Sequence, residues 1–194
     1  MNKTRLEAFS DGVIAIIITI MVLEFKMPHS AEWSDLRPLI PTFISYVLSF
    51  IYIGIYWNNH HHMVHTIKHI GPGIMWTNLN LLFWLSLVPF ATAWMGENHF
   101  AGAPVAVYAI ILIMCGISYD IMRRFIIYCH PHDAEVRFLL SRQQGKTIAS
   151  TFCYAVAIAF SFFYPYVSLF LFFLVGTFWF IPDKNIQQNA DKKS

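Results

Sequence analysis

Five histidines crowd ten residues of this chain, in the run N-N-H-H-H-M-V-H-T-I-K-H that carries His60, His61, His62, His65 and His69. On a helix, His61, His65 and His69 stand at i, i+4 and i+8 on one face, a spacing workable for a divalent metal. No cysteine joins them, and the nearest carboxylates in sequence are Asp35 and Glu97. A ladder without a complete ligand set equally fits a helix end at a membrane–water boundary, where imidazoles bond to carbonyls, neighbouring helices and water. A second constellation, Arg5, Glu7, Ser10 and Asp11, stands at the threshold of an apolar run. Asp11 and the histidines together could pass protons. Catalysis finds no footing. Ser10-Asp11 has no oriented base, and no G-x-S-x-G, H-E-x-x-H, Walker A or G-x-G-x-x-G motif occurs. Phe160, Phe162, Phe163 and Phe170 to Phe173 read as packing or lipid-facing residues.

The element that must position Arg5 through Asp11 is a first helix, expected over Thr4 to Met27. Between Asp11 and Glu24 lie twelve uncharged residues, only ~18 Å of helix against a hydrocarbon slab of ~30 Å. A full span therefore carries its ionisable residues with it. Groups of that kind are costly at membrane depth unless they face protein or water, so the helix reads as an inner one. Phe9, Gly12, Ile16, Ile20, Leu23 and Met27 share one stripe, with Arg5 at its inner end. Ser10 and Asp11 flank it on opposite sides, and Thr19 flanks its middle. Spacing alone favours a buried packing seam for such a stripe.

The wider composition places these elements in a membrane. The 194 residues are 57% hydrophobic, 17% aromatic and 12% charged, far too apolar for a soluble domain. A second span is expected over about Pro38 to Trp57, with Tyr56 and Trp57 at its interfacial end. A third covers Ile74 to Met95 with a kink at Pro89, and a fourth runs from Ala101 to Tyr119, with helix continuing as far as the His130-Pro131 stop. Thr147 to Pro182 is 36 residues without a charge, read as two spans hinged at Tyr164-Pro165-Tyr166.

Six spans put Lys3, Arg5, Lys68, Arg123, Arg124, Arg137, Arg142, Lys146, Lys184, Lys192 and Lys193 on one side and only Lys26 and Arg37 on the other. That bias predicts cytoplasmic termini. The expected class is thus all-α, a polytopic membrane protein of six helices over residues 1–182, with a disordered cytoplasmic tail over 183–194. Asp120 beside Arg123 and Arg124 reads as a charged helix end, and Asp133 and Glu135 as part of a solvated connector. Cys115, Cys129 and Cys153 are scattered without CxxC spacing, so free thiols are expected.

R-x-x-x-F-S-D (Arg5, Phe9, Ser10, Asp11), Y-W-x-x-H-H (Tyr56, Trp57, His60, His61) and W-x-N-L-x-L-L-F-x-x-S-L-x-P-F (Trp76 to Phe90) resemble the transmembrane protein 175 family of potassium channels, in its bacterial branch with one six-helix unit per chain. The likeness is detailed over the first half of the chain and reaches only hydropathy beyond Phe100. It implies a homotetramer in a bacterial inner membrane with no soluble cofactor and potassium as the permeant ion. First helices would converge on an axis, with Ile16, Ile20 and Leu23 forming aliphatic rings, the tightest at Ile16. It also implies that His60 or His61 packs near Arg5 and Asp11.

No T-V-G-Y-G filter is present, so selectivity would come from dehydration at the apolar rings. Thr19 could offer its hydroxyl to an ion or bond back to the helix. Glu24, at the outer mouth, would concentrate cations. Arg5, Phe9, Ser10 and Asp11 are expected to hold the first helix in place, with partners among the second-span histidines or Trp76 and Asn80 of the third. A proton-conducting or proton-coupled transporter using Asp11 and the histidines, and a divalent metal transporter using His61, His65 and His69, are the alternatives.

Overall fold

The computed structural model describes residues 2–67, 70–141 and 143–180, and these are helical almost throughout. Lys68, His69, Arg142 and the tail after Asp183 lie outside the described residues, so the metal alternative loses one of its three ligands from view. The helices are α1 (Lys3–Leu23), α2 (Ile40–His65), α3 (Pro72–Ser86), α4 (Val88–Glu97), α5 (Gly102–Cys129), α6 (Ala134–Ser141), α7 (Gln144–Ser161) and α8 (Pro165–Phe180). Four stretches are long and apolar enough to cross a membrane: Lys3–Leu23, Trp33–His65, Pro72–Glu97 and Gly102–Cys129. The shorter α8 is apolar as well. Such lengths and compositions belong to an integral membrane protein.

Breaks fall where backbone chemistry requires them. Pro89 has no N–H for the carbonyl of Leu85, and α3 gives way to α4 at Leu87, two residues before it. Pro165 opens α8 after a short turn, so the uncharged C-terminal stretch is two helices packed on each other. Helix α5 runs unbroken to Cys129 and stops at His130-Pro131, as expected.

Three expectations shift. The first helix ends at Leu23, not Met27, because Phe25 turns back to make edge contacts with Phe43 and Tyr46 of α2. The second runs eight residues past Trp57 into the histidines, since nothing before Thr66 interrupts its hydrogen bonding. The connector after α5 is not wholly solvated: α6 buries Val136 and Leu140, and Arg123, 2% exposed, donates to the Leu140 carbonyl and to Asp120. Arg123 is therefore a buried strut between α5 and α6, not merely part of a charged end.

Polar ties run through the apolar core. Thr92 donates its only hydroxyl proton to the Val88 carbonyl, so it must accept from Ser49, and Ser49 from Tyr108. That chain joins α2, α4 and α5. Tyr52 of α2 donates to the Phe172 carbonyl of α8 (2.8 Å). Close helix contact also needs Gly96, where a Cβ would sit 2.6 Å from the Thr42 Cα.

Candidate functional site

Helix α1 has two apolar faces with different surroundings. Leu6, Ser10, Ile14, Ile17 and Met21 are buried against α2, α3 and α4. The stripe of Phe9, Gly12, Ile16, Ile20, Leu23 and Met27 is not covered by its own chain: Ile16 is 58% exposed and Leu23 79%. The packing seam expected from spacing is thus the other face, one step round the helix. Thr19 lies on the open side and donates to the Ile16 carbonyl at 2.8 Å, the local back-bond, which leaves its oxygen free to accept. Glu24 caps the helix and shares a cleft with Ile20, Trp94 and Glu97 at the end away from the histidines. There Lys26 pairs with Glu97 at 2.8 Å, tying the chain after α1 to the end of α4.

The buried face is held by hydrogen bonds at three levels. Deepest is a polar trio from three helices: Ser10 of α1, His60 of α2 and Asn78 of α3, all essentially inaccessible. Ser10 donates to the Leu6 carbonyl at 2.8 Å and accepts from Asn78 Nδ2 at 3.0 Å. Asn78 Oδ1 lies 2.7 Å from His60 Nε2. A carboxamide oxygen can only accept, so the His60 proton is assigned to Nε2. At the exposed edge of the same contact, Trp57 Nε1 donates to Asp11 Oδ1 at 3.0 Å. At the helix start, Lys3 Nζ reaches the His65 carbonyl at 2.6 Å, where α2 leaves its last acceptors unpaired. Because Ser10 and Asp11 are ~100° apart on α1, they reach different neighbours, α3 and α2.

The structure brings together only some of the residues expected to act on α1. His60 enters the trio, but His61 stays exposed, its ring centroid 6.5 Å from that of Trp57 and 6.1 Å from that of His65. Asp11 is engaged by Trp57, not by a histidine. Trp76 is 72% exposed, and Asn80 donates to Ser118 of α5 at 2.8 Å, away from α1. No described side chain pairs with Arg5, which borders an outward groove with Phe9 and Met75. Asn78 and Trp57 are the partners that sequence reasoning missed. The available signal was that both are letters of the motifs that carry the family resemblance, Trp57 in Y-W-x-x-H-H and Asn78 in W-x-N-L. Among the described residues no group of three potential metal ligands converges.

Comparisons with known proteins agree on one lineage. The family described as "Endosomal/lysosomal potassium channel TMEM175" matches over residues 5–89. A potassium channel of Chryseobacterium sp. (strain P1-3) is 51% identical over 189 residues, covering 97% of this chain and 98% of its own length. The crystal structure of a lysosomal potassium-selective channel TMEM175 homolog from Chamaesiphon minutus has a TM-score of 0.80 at 29% identity, over 91% of this chain and 95% of that one. An endosomal/lysosomal proton channel TMEM175 of Gallus gallus is 25% identical over 90% of this chain, which spans 37% of that longer protein.

Proposed function

This chain belongs to the TMEM175 family of ion channels, and we propose on that premise that it is the subunit of a passive, potassium-selective channel whose pore is lined by α1. The family and these relatives are channels, not enzymes. The carrying observation is that α1 leaves Ile16, Ile20 and Leu23 uncovered, opposite a face locked to its own bundle by Ser10, Asp11 and Lys3. One six-helix bundle has no room for an aqueous axis lined by a single helix. Four copies arranged about α1 would provide one, with α7 and α8 as the fifth and sixth spans and both termini cytoplasmic.

In that assembly the Ile16 ring would be narrower than a hydrated ion. It would dewet when closed and impose a dehydration barrier when open. Potassium holds its water less tightly than sodium and so crosses more readily. Thr19 lone pairs beside the ring would partly replace lost water, and Glu24 would gather cations at the mouth. Arg5 and Phe9, outward and with no side-chain partner among the described residues, would meet the neighbouring subunit. The experiment is paired potassium and sodium flux in liposomes holding the purified chain, with Ile16→Cys, Ile20→Cys and Leu23→Cys exposed to a small water-borne thiol reagent. Potassium-favouring flux blocked by the reagent supports the reading; cysteines that never react under conducting conditions overturn it.

The proton-channel names of the longer relatives favour a second reading, proton conduction. Acidification driven by a pH gradient with no potassium present would mark it.

A further inference from the structure

Away from α1 the bundle carries a groove that no described residue fills. Helix α1 packs on α2, α3 and α4, whereas α7 packs on α5 and α8, so the α5–α7 seam lies on another side of the bundle. The groove holds about 520 Å³, floored by Ile117 and Ile121 of α5 and by Ile148, Phe152 and Ala155 of α7. Arg124 stands at the end where α5 leaves the bundle. Ile117, Ile121 and Arg124 are spaced i, i+4, i+7, so the floor runs ~10 Å inward from the guanidinium along one helix face. In an integral membrane protein, an open apolar furrow of this kind faces acyl chains.

The charge at its end is built, not incidental. One carboxylate, Asp120, serves two guanidinium groups: Arg123 on Oδ1 and Arg124 on Oδ2. The trio carries a net positive charge. Arg123 is sealed inside and committed to the Leu140 carbonyl, so the surplus is presented by Arg124, whose side chain is 62% exposed. Arg124 is held by its Nε, and among the described residues no acceptor engages Nη1 or Nη2. That leaves a positioned two-nitrogen fork, the geometry that takes phosphate oxygens in pairs. Basic grooves between spanning helices suit anionic head groups.

We propose that the α5–α7 groove is a binding site for an anionic phospholipid, one acyl chain lying on the isoleucine and phenylalanine floor and the phosphodiester on the Arg124 fork. The site is independent of the pore reading, since it needs only that the chain sits in a bilayer. Native mass spectrometry of the intact protein in mild detergent, offered phosphatidylglycerol and phosphatidylcholine at equal concentration, tests it. The wild type retains phosphatidylglycerol preferentially. Arg124→Gln lowers that preference by about five-fold, the effect of one basic residue at an anionic surface, with phosphatidylcholine unchanged. Arg124→Lys, which keeps the charge and loses the fork, keeps only part of the preference. Ala155→Trp fills the floor and lowers retention of both lipids, while glycerol phosphate, a head group without tails, displaces neither. Equal retention of the two lipids by the wild type, an unaltered preference in Arg124→Gln, or displacement by glycerol phosphate each overturns the site.

Discussion

Replacing Asn78 with leucine removes the hub of the trio that locks α1, and the cost follows from what each partner is left with. Leucine shares the branching of the amide but is bulkier, so it opens no cavity, and a modest overpacking cost adds to the change of polarity. Ser10 keeps its bond to the Leu6 carbonyl and loses only a donor to its lone pair, a near-neutral change. His60 is different: its Nε2 proton has no other acceptor among the described residues, and the ring is 1% exposed. A buried orphaned donor costs about 1–3 kcal/mol, whereas an ordinary interhelical hydrogen bond in a membrane averages only about 0.6 kcal/mol. The orphan, not the lost bond, dominates. At about 2–4 °C per kcal/mol for a chain of this size, a central cost of about 2 kcal/mol lowers the melting midpoint by about 4–8 °C.

Thermal challenge in detergent, followed by size-exclusion fluorescence, reads that shift. The decisive arm is His60→Phe combined with Asn78→Leu. With donor and acceptor both gone, the double variant should recover most of the loss, giving a coupling energy of about 1–3 kcal/mol in the cycle. Losses that simply add, or an Asn78→Leu midpoint equal to the wild type, would refute the reasoning.

Three further outcomes follow from the same geometry. Ile16→Asn puts a polar amide on the open face of α1 and should raise flux while weakening potassium-over-sodium discrimination in liposomes; unchanged currents would remove Ile16 from the gate. Asp11→Ala releases the Trp57 Nε1 proton, and the proposed assembly should dissociate in mild detergent as α1 loses its tie to α2; an assembly that elutes intact would undo that role. Gly96→Ala forces a Cβ into the Thr42 backbone and should cost about 1–3 kcal/mol, while Gly12→Ala, with nothing within 4 Å in a helix interior, should raise the melting midpoint slightly, by up to about 1 kcal/mol of helix propensity. A Gly96→Ala midpoint equal to the wild type would show that α2 and α4 can part freely.

Much of this protein was legible before any coordinates. Hydropathy marks the long spans, because a slab of hydrocarbon leaves little choice about what crosses it. Pro89, Pro165 and His130-Pro131 mark their breaks, because a missing N–H is a local fact independent of neighbours. Arg5, Ser10 and Asp11 announce themselves because polar groups beside an apolar run need a reason to be there.

What the sequence alone determined, then, was which segments are helices and which polar residues demand partners. It did not determine who those partners are, or which side of α1 is open. Leu6, Ile14, Ile17 and Met21 are as apolar as Phe9, Ile16, Ile20 and Leu23, and the two stripes differ by about one residue of rotation. Only the positions of α2, α3 and α4 decide which stripe is buried. Likewise Asn78, Trp57 and Leu140 became the partners of Ser10, Asp11 and Arg123 by distance in space across 68, 46 and 17 residues of chain. Periodicity records a helix's own geometry; the directions of its neighbours are set by packing, which no one helix encodes.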